Sequence, residues 1–496
     1  MTIFTLVLYV AIAALILTVL VGVVFKSHKS WLMTFLQNFC GSLFIFSGYV
    51  KAIDPLGTAF KMEQYFSEFN FTFKETAFKF LAPIFPWMSE HSLAISVAMI
   101  VFEIVLGVML LLGSRAKLTA WLFLLLVVFF TILTGFTYLT GYVPDGVNFF
   151  EFGKWGPYVE TNMKVTDCGC FGDFLKLKPK VSFMKDVFLL IPSLFFVFKH
   201  KDMHQLFSRR VRTILVWAIA LLFLVFCVRN YSWNEPIVDF RPFKTGTDIR
   251  AAKAHEEEVA SNVKITHYRM TNKATGQVVT IPYEQYIKEF KNYPKEEWAF
   301  EQIKTEPESE PTKISDFDIS DNEGNNMTEE ILNYEGYSFM VTAYKLKKLE
   351  DKTTRSAVVN DTIFAVDTVM LEGSDSMALV KKVESIQPHN LAMEVYTFDE
   401  QYQNLFSRII NPVMDAAQQA GFKVFAVTNP EDPAAVDDFR HATQSDYPFY
   451  VADDLLLKTI QRSNPGVVLW KDGKIVQKWH FKKLPSFEEI KTNYLK

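Results

Sequence analysis

Two cysteines separated by a single glycine, Cys168 and Cys170 in the string DCGCFGD at 167–173, are the residues of this chain best suited to chemistry. Thiols on alternate residues of a turn can approach within the roughly 4.4–6.8 Å Cα separation that a disulfide needs. Gly169 permits the backbone conformations that so small a ring demands. The pair is either a thiol–disulfide exchange couple or a static disulfide that clips its loop. A tight, strained ring favours exchange, whereas the lack of a nearby His or Lys that clearly lowers a thiol pKa favours the clip. A metal site is disfavoured, because zinc takes four ligands and 142–182 offers two thiols and no histidine.

Three charged residues stand inside or beside apolar runs. Glu103 lies about midway along the run 92–113, a depth at which an ionisable group is costly and by default a functional hypothesis. A protonated carboxyl hydrogen-bonded to Ser47 or Ser42 is one reading, and a polar clasp between helices is the other. Lys51 and Asp54 close the run 32–53; the lysine can snorkel to the interface and Asp54–Pro55 can end the helix. Cys40 and Cys227 sit within apolar runs, where free cysteine usually behaves as a small hydrophobe. Only Cys227 stands at a height suited to exchange with Cys168 or Cys170.

The elements that must hold these groups are membrane spans. Half of the 496 residues are hydrophobic, and they concentrate before about residue 230. About 20 apolar residues cross a bilayer, and the runs 3–25, 32–53, 92–113, 118–141, 183–199 and 213–229 give six spans. Lys26, Lys29, Arg115, Lys117, Lys199, Lys201, Arg209, Arg210 and Arg212 crowd the short connections, while 54–91 and 142–182 are sparser in Lys and Arg. The positive-inside rule then places both termini and the 167–173 loop outside the cytoplasm. The first run has no basic residue before it, so an uncleaved anchor is expected rather than a signal peptide. A net charge of −4 without a basic aromatic stripe speaks against nucleic acid.

Three segments resemble the DoxX/MauE membrane family: FCGSLFIFSGYVKAIDPLGT at 39–58, FEIVLGVMLLLG at 102–113, and DCGCFGD at 167–173. The resemblance covers about residues 32–200. It implies a four-helix core within the six spans, and a part in disulfide formation or maturation of exported proteins. Fold alone does not establish function.

After residue 230 the chain turns polar. Residues 231–313 read as a linker and small mixed region, with a helix at 246–260, a hairpin at 264–281 broken at 274–276, and a Glu/Pro-rich linker at 301–312. From 314, strands alternate with helices: strands at 337–346 and 422–429, an insertion at 351–399 with a strand at 391–398, and a closing hairpin turning at 471–473. This order resembles a thioredoxin-like fold of the redoxin type over 314–496, with Pro465 in the place of that family's cis-proline and polypeptide groove. Where that family carries its redox motif this chain reads KLKKLED, and no cysteine follows Cys227. The fold class expected is a polytopic helical membrane bundle with an extracytoplasmic α/β domain, in a bacterial inner membrane facing the periplasm.

Three functions compete. The favoured reading is a non-catalytic subunit or assembly factor of an envelope complex, holding partner proteins through the redox-inactive thioredoxin-like domain. The alternative is a membrane thiol–disulfide oxidoreductase working through Cys168 and Cys170 on exported proteins. A small-molecule carrier with Glu103 as proton-coupled residue is third, since no inverted repeat is visible. No linear motif announces a cofactor, and a quinone would need a pocket. The partners expected are the lipid bilayer and envelope or exported proteins.

Overall fold

The computed structural model describes residues 2–76, 78–165, 169–305, 307–308, 311–349, 353–370 and 377–495. The chain divides into two compact units, Met1–Thr247 with Lys458–Ser463, and Asp248–Leu457 with Asn464–Lys496.

The first unit is helical: α1 (Ile3–Val19, continued by a π turn at Leu20–Val24), α2 (Trp31–Ile53), α3 (Pro55–Lys74), α4 (Ile84–Glu90), α5 (Ser92–Leu112), α6 (Ala116–Thr140), α7 (Pro179–Lys199) and α8 (Arg209–Trp233). Among the described residues, five helices are long and apolar enough to cross a membrane, α1 with its π turn, α5, α6, α7 with the turn after it, and α8. Helix α2 has 23 residues but carries Gln37, Asn38 and Lys51. Gln37 and Asn38 turn inward and find partners there. Gln37 donates to the Leu110 carbonyl at 3.1 Å and accepts from the His204 N–H at 2.9 Å, while Asn38 donates to the Thr18 hydroxyl at 3.1 Å. Buried amides of this kind lower a helix's mean hydropathy without exposing a polar atom to lipid.

Two expectations about boundaries change. Residues 54–91 form two helices rather than an open connection, because Asp54 ends α2 and also caps α3, accepting from the Gly57 N–H at 3.1 Å with Pro55 in the first turn. Helix α7 starts at Pro179, again with proline in its first turn, four residues before the expected start at 183.

Helices α2 and α5 touch backbone to backbone. A methyl group added at Gly107 would lie 2.7 Å from the Gly41 carbonyl oxygen, and one at Gly41 would lie 2.9 Å from that of Gly107. Small residues on facing helices permit this approach, and it brings the C-terminal half of α2 against the middle of α5. Around that seam Leu43, Phe44, Leu106, Leu110, Phe123 and Phe196 form a buried core, with Phe44 and Phe123 ring centroids 4.8 Å apart.

The second unit begins with α9 (Ile249–Ser261), then β1 (Ile265–Asn272), β2 (Val278–Pro282), α10 (Tyr283–Glu289) and β3 (Trp298–Lys304). The three strands form a sheet in the order β2-β1-β3, with Met270 opposite both Val279 and Phe300. The stretch expected as linker from 301 therefore begins as strand, since residues 301–304 pair with β1.

Next come β4 (Ile319–Ser320), α11 (Thr328–Leu332), β5 (Tyr337–Ala343), β6 (Thr353–Met370), β7 (Met377–Val395), α12 (Glu400–Leu405), α13 (Asn411–Gln419), β8 (Lys423–Thr428), α14 (Pro433–Thr443), β9 (Phe449–Ala452), α15 (Asp454–Ile460, where the chain passes between units), β10 (Gly466–Lys471), β11 (Lys474–His480) and α16 (Phe487–Tyr494). A six-stranded sheet runs β11-β10-β5-β8-β9-β4. Strands β5, β8 and β9 are parallel neighbours, while β10 is antiparallel to both β5 and β11. The central strands are buried on both faces, which is why they read as unbroken apolar runs; Phe339, Val341, Val424, Ala426, Val467 and Leu469 join Phe439 and Phe449 in one core. The turn between β10 and β11 places Asp472 and Gly473 at φ 52° and 78°, as a two-residue hairpin requires. Between β5 and α12, β6 and β7 pair as a separate two-stranded antiparallel ribbon. The expected single strand at 391–398 is thus the end of a longer one that stops at Val395.

Candidate functional site

The site is built at one end of the α2–α5 seam. Lys51, on the last turn of α2, places its Nζ 2.7 Å from Glu103 Oε2 on α5, with both side chains buried. The same ammonium lies 5.2 Å from the centroid of the Phe130 ring of α6, a cation–π distance. Glu103 therefore takes Lys51 as its partner rather than Ser42 or Ser47, and Lys51 turns into the bundle instead of snorkelling outward. The physical reason is mutual: neither charge is tolerable alone at that burial, and the close helix crossing puts them in reach.

A second pair completes the site. On α7, Lys185 hydrogen-bonds Asp186, whose other oxygen accepts from the Thr134 hydroxyl of α6 at 3.0 Å. Lys185 also lies 6.0 Å from the Phe171 ring centroid. Sequence reasoning missed this pair, although two charges inside the run 179–199 were the available signal.

Gly169 to Asp173 fold as a turn over this end of the bundle. Gly169 and Gly172 have φ of 60° and 52°, a region that costs glycine little, and the Gly172 N–H donates to the Gly169 carbonyl at 3.1 Å. Ser47 ties the turn down by donating to the Cys170 carbonyl at 2.7 Å, and Phe171 is buried as its anchor. Cys168 lies outside the described residues. Cys170 is half-buried. Burial pushes its thiol above the ordinary value; the positive charges of Lys185 and Lys51 oppose this, and Asp186 and Glu103 reinforce it. A thiol pushed upward in this way suits a resolving role better than an attacking one.

Cys170, Lys51, Glu103, Lys185 and Asp186 all line one cavity with about 760 Å³ of empty space, its mouth included. The remaining walls are mainly apolar and aromatic, among them Leu43, Phe44, Met99, Phe130, Leu133 and Phe171. A mainly apolar pocket with a few convergent polar groups is the usual form of a small-molecule site.

The other singled-out residues are placed elsewhere. Cys227 packs in a separate apolar cluster with Ala52, Ile100 and Ile104, and Cys40 is fully buried in the main helical core. Asp54 meets Arg462 at 2.7 Å, and the same guanidinium meets Asp173 at 2.8 Å. Burial opposes ionisation of Asp54, but Arg462 outweighs it and holds the carboxyl below its usual range. In the second unit Asn464–Pro465 is a cis peptide. Asn464 accepts from the Tyr402 hydroxyl at 2.9 Å and donates to the Lys345 carbonyl at 2.8 Å, so the loop before β10 is tied to the segment leaving β5. Among the described residues no group of three or more His, Cys, Asp or Glu is placed to hold a metal ion.

Residues 29–145 match the family described as methylamine utilisation protein MauE. The match runs from just before α2 to just after α6, so it includes Lys51 and Glu103 and stops short of Cys168, Cys170 and α7. No curated protein and no solved structure matches the chain. The chain is thus a membrane protein whose residues 29–145 form a MauE-like domain.

Proposed function

We propose that this chain is a thiol–disulfide exchange protein of the bacterial inner membrane, acting on exported polypeptides through Cys168 and Cys170. The observation that carries the reading is the position of Cys170, which lines a cavity walled by two buried lysine–carboxylate pairs. A static clip needs no such cavity behind it. The sequence alone favours a non-catalytic subunit; the cavity reverses that preference.

In the exchange, a partner's two S–H bonds are replaced by one S–S bond, and the Cys168–Cys170 bond opens to two thiols that take the two protons and two electrons. Cys168 is assigned to meet the partner, since the half-buried Cys170, its thiol pushed upward, suits the resolving role. The bundle has six spans with α2 included, and both termini face the periplasm. The sheet order around β5 and the closing hairpin support a thioredoxin-like fold for the second unit. Lacking cysteine, that unit holds a polypeptide without reacting with it.

The test is the redox state of the pair in isolated membranes, read by the mass added on thiol alkylation. Addition of a reduced exported protein is expected to convert the pair from oxidised to reduced. A pair that stays oxidised through every such addition would be a structural clip, and the non-catalytic reading would replace this one.

A further inference from the structure

We propose that the pocket enclosed by α3, the end of α6 and the loop after α6 binds an organic ammonium group, with Glu68 as its counter-charge. The inference goes beyond the exchange reading and does not depend on the cysteines.

Charge selects the class of ligand. Three ionisable residues line this pocket: Glu68, Asp145 and Lys164. Lys164 is committed to Asp145, its Nζ lying 2.7 Å from Oδ1, and both side chains are more than half exposed at the rim. These two charges neutralise each other and leave one negative charge, on Glu68. Glu68 stands in the C-terminal half of α3 and is partly buried. Among the described residues it has no hydrogen-bond or ion-pair partner, and Lys164 acts on it only from a distance. Burial pushes its carboxyl above the ordinary value, and Lys164 offsets only part of that. A partly buried carboxylate without a partner is costly, and a cation brought by a ligand removes the cost.

The walls select the kind of cation. Phe71, Phe136 and Phe149 line the pocket with Glu68. Phe136 is held in place by Phe149 and Phe69, at centroid distances of 4.7 and 5.0 Å, so its ring is fixed before a ligand arrives. Aromatic rings attract ammonium groups, including quaternary ones. A bare calcium or magnesium ion takes about six or more oxygen ligands, which one carboxylate among phenyl rings does not supply. The loop is tied over the pocket by Asn148, whose side chain donates to the Thr72 carbonyl at 2.9 Å, and by Asn162, which donates to the Gly141 carbonyl at 3.3 Å. The pocket holds about 280 Å³, just under the roughly 300–1,000 Å³ of sites for drug-sized ligands, and so suits a small group. Thr140 on its wall is the last residue of the span α6, so the mouth opens at the height of lipid headgroups. Two sources carry the required chemistry there, an ammonium-bearing phospholipid headgroup and a water-soluble amine.

The experiment uses the full chain in a neutral, sugar-based detergent. Native mass spectrometry measures retention of phosphatidylethanolamine against phosphatidylglycerol, and titration calorimetry measures binding of choline chloride against sodium chloride. Glu68→Gln keeps the shape and removes no described contact, and Phe71→Ala trims a ring that is 62% exposed; both are compared at equal thermal midpoints. The expected result is saturable binding of an ammonium ligand, weakened about 10-fold or more by Glu68→Gln and about 3-fold by Phe71→Ala. Lys164→Met should strengthen it. Preference for phosphatidylethanolamine without choline binding would assign a lipid headgroup, and choline binding without a lipid preference a soluble amine; either supports the site. Equal retention of the two lipids with no choline binding would overturn it, as would an ammonium ligand held equally by wild type and Glu68→Gln. Phosphatidylglycerol retention that is lost in Lys164→Met would make the pocket an anion site and overturn it too.

Discussion

Replacing Lys51 with methionine is expected to destabilise the membrane unit by about 3–5 kcal/mol, and adding Glu103→Leu is expected to restore most of that loss. The asymmetry follows from what each change leaves behind. In Lys51→Met the Glu103 carboxylate, buried and 2.7 Å from its lost partner, has no cation to replace it within the pair. It must ionise uncompensated or take up a proton at a cost. In the double variant both desolvation penalties vanish, and two apolar side chains of similar bulk meet across the α2–α5 seam. Chemical unfolding in mixed micelles, run as a double-mutant cycle, measures the coupling directly. Losses that simply add would mean the pair is not an energetic unit.

The second large effect concerns the seam itself. Gly107→Val is expected to cost about 3 kcal/mol, the upper end of the overpacking range. A Cβ at Gly107 meets the Gly41 carbonyl oxygen at 2.7 Å and the Ile45 backbone nitrogen at 3.0 Å. Both neighbours are backbone, so no rotamer change relieves the clash and the helices must separate. Separation would also draw Lys51 away from Glu103. Gly153 serves as the control, because nothing lies within 4 Å of a Cβ added there; Gly153→Ala should shift the thermal midpoint little. Equal shifts at the two positions would contradict the close crossing.

How much of this was legible in the sequence depended on the range of the interactions involved. The long apolar helices α1, α5, α6 and α8 are local signals, and their positions follow from hydropathy within a few residues. Helix α2 was legible as a run, but the reason for its polar residues was not, since Gln37 and Asn38 are satisfied by Leu110, His204 and Thr18 on other segments. Helix α3 was missed because Asp54–Pro55 reads as a stop signal, and the same two residues also start a helix. The charged residues Glu103, Lys51 and Asp54 were singled out one by one. Their partners were not, because the Lys51–Glu103 pairing depends on a helix crossing that two glycines permit. Lys185 and Asp186 stand at the start of their apolar run, where charge reads as the interface end of a span rather than as a pair turned into the bundle. The long β6–β7 ribbon was hardly legible at all: only its end, near 391–395, had the concentrated apolar pattern of a strand.

The most direct measurement of the central claim is mixed-disulfide trapping in whole membranes. With Cys170→Ser, Cys168 is left as a single thiol that can attack a disulfide of an exported protein, releasing one of that protein's thiols; without Cys170 to displace the partner, the mixed disulfide should accumulate. On non-reducing gels these adducts run above the 57.1 kDa chain. They should vanish on reduction and be absent from Cys168→Ser/Cys170→Ser. The account predicts that ladder. An unchanged monomer band in Cys170→Ser, with the same non-covalent membrane partners recovered from wild type and double mutant, would contradict it.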